Sequence, residues 1–223
     1  MKHMHKRILI ASLITASAAV VLPFGQIAQA AVSERANTPA TPSIMEIAAT
    51  QDPGDFVRRL GDEAISELAG EKVTDSSRQN RFIGLMKKYF EMDQVARFVL
   101  GRYWRSLSDQ ELGEFADLLQ KYLALNYASK FKDFDGEKFV VGESFENKKD
   151  TFVNSQVVRP DGPPVKIVWR LREFDGNLRI IDVSIEGISM GITQRDEFAS
   201  VIQNNGGKVQ ALTDLLKQKT AGN

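Results

Sequence analysis

Apolar side chains recur every three to four residues from Phe56 to Tyr127, and every second residue from Phe139 to Leu171. The first period is that of a helix with one buried face, the second that of a strand with one buried face. The pattern therefore predicts helices first and an antiparallel sheet after them. Asp52-Pro53 reads as an N-cap with proline at the first helical position. Phe56, Leu60, Ala64 and Leu68 follow at four-residue spacing up to Gly70. A second helix is expected from about Asp75 to Ser77, with Phe82, Leu85, Met86, Tyr89 and Phe90 as its apolar face. Asp93 is read as the cap of a short helix, Gln94 to Leu100, which is apolar nearly all round and closed by Gly101. Such a helix is a buried one, against a core or against a ligand.

Ser108 and Glu111 stand in the reciprocal positions of a capping box, with Leu107 and Leu112 as a hydrophobic staple. The long helix behind them carries Leu112, Phe115, Leu119, Tyr122, Leu123 and Tyr127 in one stripe. Strands are predicted through Phe139, Val141 and Phe145, through Thr151 to Val158, and through Val165 to Leu171. Asp175-Gly176 marks a hairpin. Leu178 to Ile202 then begins as a β-branched strand and ends as a helix starting near Gln194. Glu186 to Gly191, with two glycines among apolar residues, lies between them. After Gly206-Gly207 a last amphipathic helix covers Lys208 to Lys217. The class is α+β: N-terminal helices packed on a curved antiparallel sheet of four to five strands, with C-terminal helices, an arrangement that can enclose a pocket.

The chain starts differently. Lys2, Lys6 and Arg7 precede an apolar run, Ile8 to Val21, and Ala28-Gln29-Ala30 fits a small-x-small cleavage site. Residues 1–30 are read as a secretory signal peptide. Residues 31–51, rich in Ala, Thr, Ser and Pro, are read as a flexible lead-in, and 52–219 as a single domain. Cleavage removes three of 29 basic residues and no acidic ones, so the net charge becomes 26 − 29 = −3. That gives no electrostatic footprint for nucleic acid.

Both histidines, His3 and His5, fall in the leader, and the chain has no cysteine. The mature chain therefore lacks Ser-His-Asp and Cys-His catalysis, and zinc sites built on His or Cys. No phosphate loop, metal-ligand pair or nucleophile elbow occurs, so no cofactor or metal is expected. Asp182 and Glu186, four apart on a strand, form a conceivable carboxylate pair. Arg97, Arg102 and Arg105 cluster around the short apolar helix, where they suit surface positions, an acidic headgroup or an acidic partner face. Large apolar groups gather near flexible junctions: Phe90, Met92, Phe98, Trp104, Trp169, Ile188 and Met190.

Two runs resemble the MlaC-like, or toluene-tolerance, family. One is RFIGLMKKYFEMDQVARFVLGRYWRSLSDQEL, ending at Leu112. The other is DVSIEGISMGITQRDEFASVI, Asp182 to Ile202, followed by Gly206-Gly207 and a leucine-bearing helix. The resemblance runs from Asp52 to Lys219. It implies a periplasmic phospholipid-binding component of a lipid-transport ABC system, not an enzyme. It also implies a deep apolar pocket between sheet and helices, in which two acyl chains would be buried while the headgroup faces solvent. The implied partners are an inner-membrane MCE-type transporter complex and an outer-membrane lipoprotein–porin complex, between which lipid is shuttled to maintain outer-membrane asymmetry. A hopanoid-associated relative of similar sequence leaves the ligand class open. On this reading the pocket draws Phe90, Val95, Phe98, Val99 and Trp104 from the short helix and its flanks. It draws Leu119, Tyr122, Leu123 and Tyr127 from the long helix, Trp169, Val183 and Ile185 from the sheet, and Met190 and Phe198 from the following junction and helix. The competing readings are a small periplasmic enzyme acting through carboxylates on an apolar substrate, and an adaptor binding protein through apolar patches.

Overall fold

A computed structural model describes residues 51–134 and 136–221. The leader, and the lead-in apart from Gln51, lie outside the described residues. Six helices are seen among the described residues: α1 Pro53–Leu68, α2 Asp75–Tyr89, α3 Met92–Leu100, α4 Asp109–Tyr127, α5 Met190–Asn204 and α6 Val209–Thr220. Five strands form one antiparallel sheet in sequence order: β1 Lys138–Asn147, β2 Asp150–Val158, β3 Val165–Phe174, β4 Asn177–Ile185 and the short β5 Ile188–Ser189. The α+β class and the meander read from the sequence are both present.

Local chemistry sets the helix ends. The Asp52 carboxylate accepts from the Asp55 N–H at 2.7 Å, ahead of Pro53. At α4, Glu111 N–H donates to Ser108 Oγ at 3.3 Å while Ser108 N–H donates to Glu111 Oε2 at 2.8 Å, completing the capping box. Two starts differ from expectation. Helix α3 begins at Met92, so Asp93 lies in its first turn, not at its cap. Helix α5 begins at Met190, four residues before Gln194, because Ser189 Oγ accepts from Ile192 N–H at 3.0 Å. Ser189 is the kind of residue that caps, and the exposed-looking isoleucines around it masked that signal.

Arg78 fixes the far end of α1. It is fully buried, and donates from Nε to Leu68 O at 2.8 Å and from Nη2 to Gly70 O at 2.6 Å, with Nη1 on Asp75 at 2.9 Å. The last carbonyls of α1 have no partners within their own helix, and a cation there also suits the helix dipole. One side chain thus holds α1 and α2 together where α1 ends.

Along the sheet, the inner face is set by register. Thr151 pairs with Leu171, Val153 with Trp169, and Ser155 with Ile167 across β2–β3. Across β3–β4, Leu171 pairs with Ile180, Trp169 with Val183, and Ile167 with Ile185. A register shift between Arg170 and Leu171 lets both Ile180 and Val183, three apart, face inward. Simple alternation would have separated them. The α2–α3 junction is pinned at this irregularity by the Glu91 N–H to Ile180 carbonyl bond, 3.0 Å.

The core falls into two clusters. One is helical, with α3, α4, α5 and α6 around Val99, Leu119, Phe198 and Leu212. The other joins α1 and the end of α2 to the sheet around Leu60, Leu85, Val153, Leu171 and Ile180.

Candidate functional site

Val153, Leu171 and Ile180 are completely buried and make a solid floor beneath Phe56 and Tyr89. From that floor the strands run on through Trp169 and Val183 to Val157, Ile167 and Ile185. There a cavity of about 360 Å³ opens between sheet and helices. Its walls are Leu60, Gly61, Ala64, Ile65 and Leu68 of α1, then Phe82, Leu85 and Met86 of α2 with Phe90 just after it. Leu123 and Tyr127 of α4, Phe131, Phe134, Phe139 of β1 and Met190 complete it. Only two lining residues, Lys130 and Ile185, are exposed, so the mouth lies between them.

The surface that faces the cavity is apolar throughout. Polar atoms on lining side chains are turned elsewhere or satisfied. Trp169 Nε1 donates to Ser155 Oγ at 2.8 Å, leaving the indole flank to the cavity. The phenol of Tyr127 is pushed above its ordinary pKa by burial first, then by the nearby Glu197 carboxylate and Tyr122 phenol. It therefore stays protonated, as a donor and not a base. Lys130, an exposed residue of the lining, stands at the mouth.

Close approach makes the walls fit. A Cβ on Gly61 would lie 2.2 Å from the Phe139 ring, so only glycine lets β1 sit this near α1. Phe139 in turn meets Trp169 edge to face at 6.3 Å, and Phe82 meets Phe131 at 6.3 Å. Rings of this kind are rigid and do not collapse into space as a thioether can.

Asp182 and Glu186, the carboxylates considered as a catalytic pair, do not act together. Asp182 accepts from Ser189 Oγ at 2.6 Å, from Gly191 N–H at 3.0 Å and from its own neighbour Val183 N–H at 2.9 Å. It anchors the start of α5. Glu186 sits past the end of β4 at φ 51° and accepts from Lys166 N–H at 2.5 Å, closing the turn. No cluster of three or more His, Cys, Asp or Glu residues suited to a metal occurs among the described residues.

The comparisons can be set against this geometry. A family model described as MlaC protein matches residues 58–218, well over half the chain. The chain belongs to the MlaC family. The toluene tolerance protein Ttg2D of Pseudomonas putida is 21% identical over 172 residues, covering 74% of this chain and 80% of that protein. Among solved structures, a phospholipid-binding protein from Ralstonia solanacearum in complex with a phospholipid superposes with a TM-score of 0.68 at 19% identity. The match covers 77% of this chain and 98% of that one. It establishes the fold. In this member of the MlaC family, no helix among the described residues is long and apolar enough to cross a membrane.

Within the MlaC frame, the fourteen residues expected to line a pocket divide evenly. Phe90, Leu123, Tyr127, Trp169, Val183, Ile185 and Met190 stand around the cavity. Val95, Phe98, Val99, Trp104, Leu119, Tyr122 and Phe198 belong to the helical cluster instead. Val99, Leu119 and Phe198 are at most 3% exposed there, packed side chain on side chain. The short helix is buried because helices α4 and α5 cover it. Sequence reasoning missed the whole α1 wall and the α2 wall. A usable signal existed in α1: small residues, Gly61 and Ala64, interrupt a leucine stripe, as suits a helix that stands close to a sheet.

Proposed function

We propose that this chain is a periplasmic lipid carrier. It binds glycerophospholipid acyl chains in the cavity and shuttles lipid between outer- and inner-membrane complexes, maintaining outer-membrane asymmetry. The observation that carries the reading is the cavity itself, apolar throughout, floored by packed side chains and open at one end. Membership of the MlaC family supports it, as do the phospholipid-binding description of the Ralstonia structure and the Pseudomonas relative's place in toluene tolerance.

Physical reasoning runs the same way. Removing fifteen methylenes from water is worth about 12 kcal/mol at ~0.8 kcal/mol each. A carrier competes with a bilayer only if its pocket is nearly as apolar as lipid, and these walls offer no polar surface. At about 360 Å³ the cavity is at the small end for a ligand pocket, so a two-chain lipid requires the walls to part. Met86 of α2 and Met190 of α5, flexible thioethers in the lining, suit that adjustment. Lys130 at the mouth favours a phosphate-bearing headgroup outside. No step of carriage needs bond chemistry, so the proposal is of a non-enzyme that exchanges lipid with an inner-membrane MCE-type complex and an outer-membrane lipoprotein–porin complex, each handover needing a partner that opens the pocket.

Organic extraction of protein purified without detergent, followed by mass spectrometry, tests this. The expected result is diacyl glycerophospholipid near one per protein, unchanged by high-salt washing because the hold is apolar. Folded protein free of lipid would overturn the proposal.

A further inference from the structure

The arginines singled out in the sequence form a larger group in the fold. Arg97 and Arg105 both lie against the Trp104 ring, each 5.2 Å from its centroid. Arg102 covers Tyr103 at 5.0 Å, and Arg195 of α5 covers Phe98 of α3 at 5.7 Å. Arg195 also reaches within 3.0 Å of the point where a Gly101 Cβ would stand, so α5 brings it onto the α3 end. Among the described residues none of these four guanidinium groups is in an ion pair, although the chain's total charge is zero. Asp93 and Asp196, on the same helices, pair with none of them. Arg97 Nε is buried with no hydrogen-bond partner. Four unpaired cations on aromatic bases are a local surplus of charge waiting for an anionic surface.

The same edge of the molecule carries unusual apolar exposure. Ile188 is 62% and Ile192 54% exposed, and Ile185, which pairs with Ile188 across β4–β5, is 37% exposed. Ile192 precedes Arg195 by one turn of α5. Ile185 is itself, with Lys130, an exposed residue of the cavity lining. Apolar tips, interfacial aromatics and arginines therefore form one continuous border beginning at the opening.

We propose that this border docks the carrier on an anionic lipid surface, with Ile185, Ile188 and Ile192 dipping into the headgroup boundary and Arg102, Arg105 and Arg195 held by lipid phosphates. The proposal rests on the lipid-carrying reading of the cavity, since it brings the mouth to the bilayer. An acidic protein face would match the charges. It gives no reason for three exposed isoleucines beside a lipid opening, whereas cations together with apolar tips are what membrane-surface binding uses.

Vesicle flotation tests it with the purified full chain, using pure phosphatidylcholine vesicles and vesicles containing a quarter phosphatidylglycerol. The protein should float with the anionic vesicles only, and less as salt rises. At about a fivefold loss in affinity per arginine removed near an anionic surface, the triple variant Arg102→Gln, Arg105→Gln, Arg195→Gln should bind on the order of 100-fold more weakly. Ile188→Ser with Ile192→Ser should weaken binding at all salt concentrations. Melting curves confirm that the variants remain folded, and Trp104 fluorescence should shift on binding in the native chain. Wild-type protein that floats with neither vesicle, or equally with both, would overturn the proposal, as would a triple variant that binds like wild type. Binding only to an acidic protein would overturn it too. Lipid extraction from the same samples reads the carrier function separately: lipid-loaded protein that ignores anionic vesicles refutes docking alone, and lipid-free protein refutes carriage.

Discussion

The cluster around Leu119 and the cluster around Leu60 use the same kinds of side chain, yet one fills its space and the other encloses a cavity. In the helical cluster, α4 is covered by α2, α3 and α6, and knobs from each neighbour meet. Phe198 closes against Phe115 at 6.1 Å and Tyr122 at 6.0 Å. Around Leu60 the floor is equally tight, but toward Ile167 and Ile185 the helices stand away from the sheet. Rigid rings of Phe82, Phe131, Phe139 and Trp169 frame that space and do not fold inward. Apolar composition therefore decides what is buried. Spacing between layers decides whether burial is by protein or by something brought in.

The largest effect should come from placing a charge in each region. Val99→Glu buries a carboxylate at a site 2% exposed with no partner, and the protein should lose its fold, at a cost of several kcal/mol. Val183→Glu, on the cavity wall, should fold, because a carboxyl there can take up a proton or water, but should lose most of its bound lipid. Circular dichroism and lipid content separate the two. If both variants unfold alike, the wall is ordinary core.

Truncation should sharpen the contrast. Leu119→Ala opens a new void in a filled cluster and should cost about 2–5 kcal/mol in denaturant unfolding. Ile167→Ala only enlarges a cavity that exists, and should cost about 1–2 kcal/mol, the transfer term alone.

A smaller effect is expected at Asp150, away from both clusters. Burial pushes its carboxyl up, but hydrogen bonds from Arg172 and Arg170 and their charges outweigh that and hold it below its ordinary value of 3.8. A depressed pKa adds stability above the ordinary value and loses it as pH falls through the folded one. Asp150→Asn keeps one oxygen acceptor and should therefore cost about 0.5–1.5 kcal/mol at neutral pH. The gap to wild type should close as pH drops below 3.8. A gap independent of pH would mean that shape, not charge, is what Asp150 supplies.

Much of this architecture was legible beforehand, for physical reasons. Caps such as Asp52 and Ser108, and the Asp175-Gly176 turn, act within a few residues, so their signals are local. Alternation along β3 identified its inner face through Ile167, Trp169 and Leu171. The register shift in β4 was not visible, because it depends on how β3 and β4 pair and not on either strand alone. Seven of the expected wall residues lie in the helical cluster for a similar reason. An all-round apolar helix announces burial and says nothing about which neighbour covers it. The role of α1 was hidden in the same way: its four-residue stripe announces a buried face without saying what it faces, and Leu60, Ala64 and Leu68 of that stripe line the cavity.

The central claim is that lipid chains lie between α1, α2 and the sheet. Its most direct test is to load the protein with a phospholipid carrying a photoreactive group along one acyl chain, irradiate, and map the adducts by peptide mass spectrometry. The account predicts adducts on the α1 stretch Leu60 to Leu68 and on strand residues from Ile167 to Trp169 and Val183 to Ile185. Adducts concentrated on Val95 to Val99, Leu119 or Phe198 would place the chains in the helical cluster and contradict it.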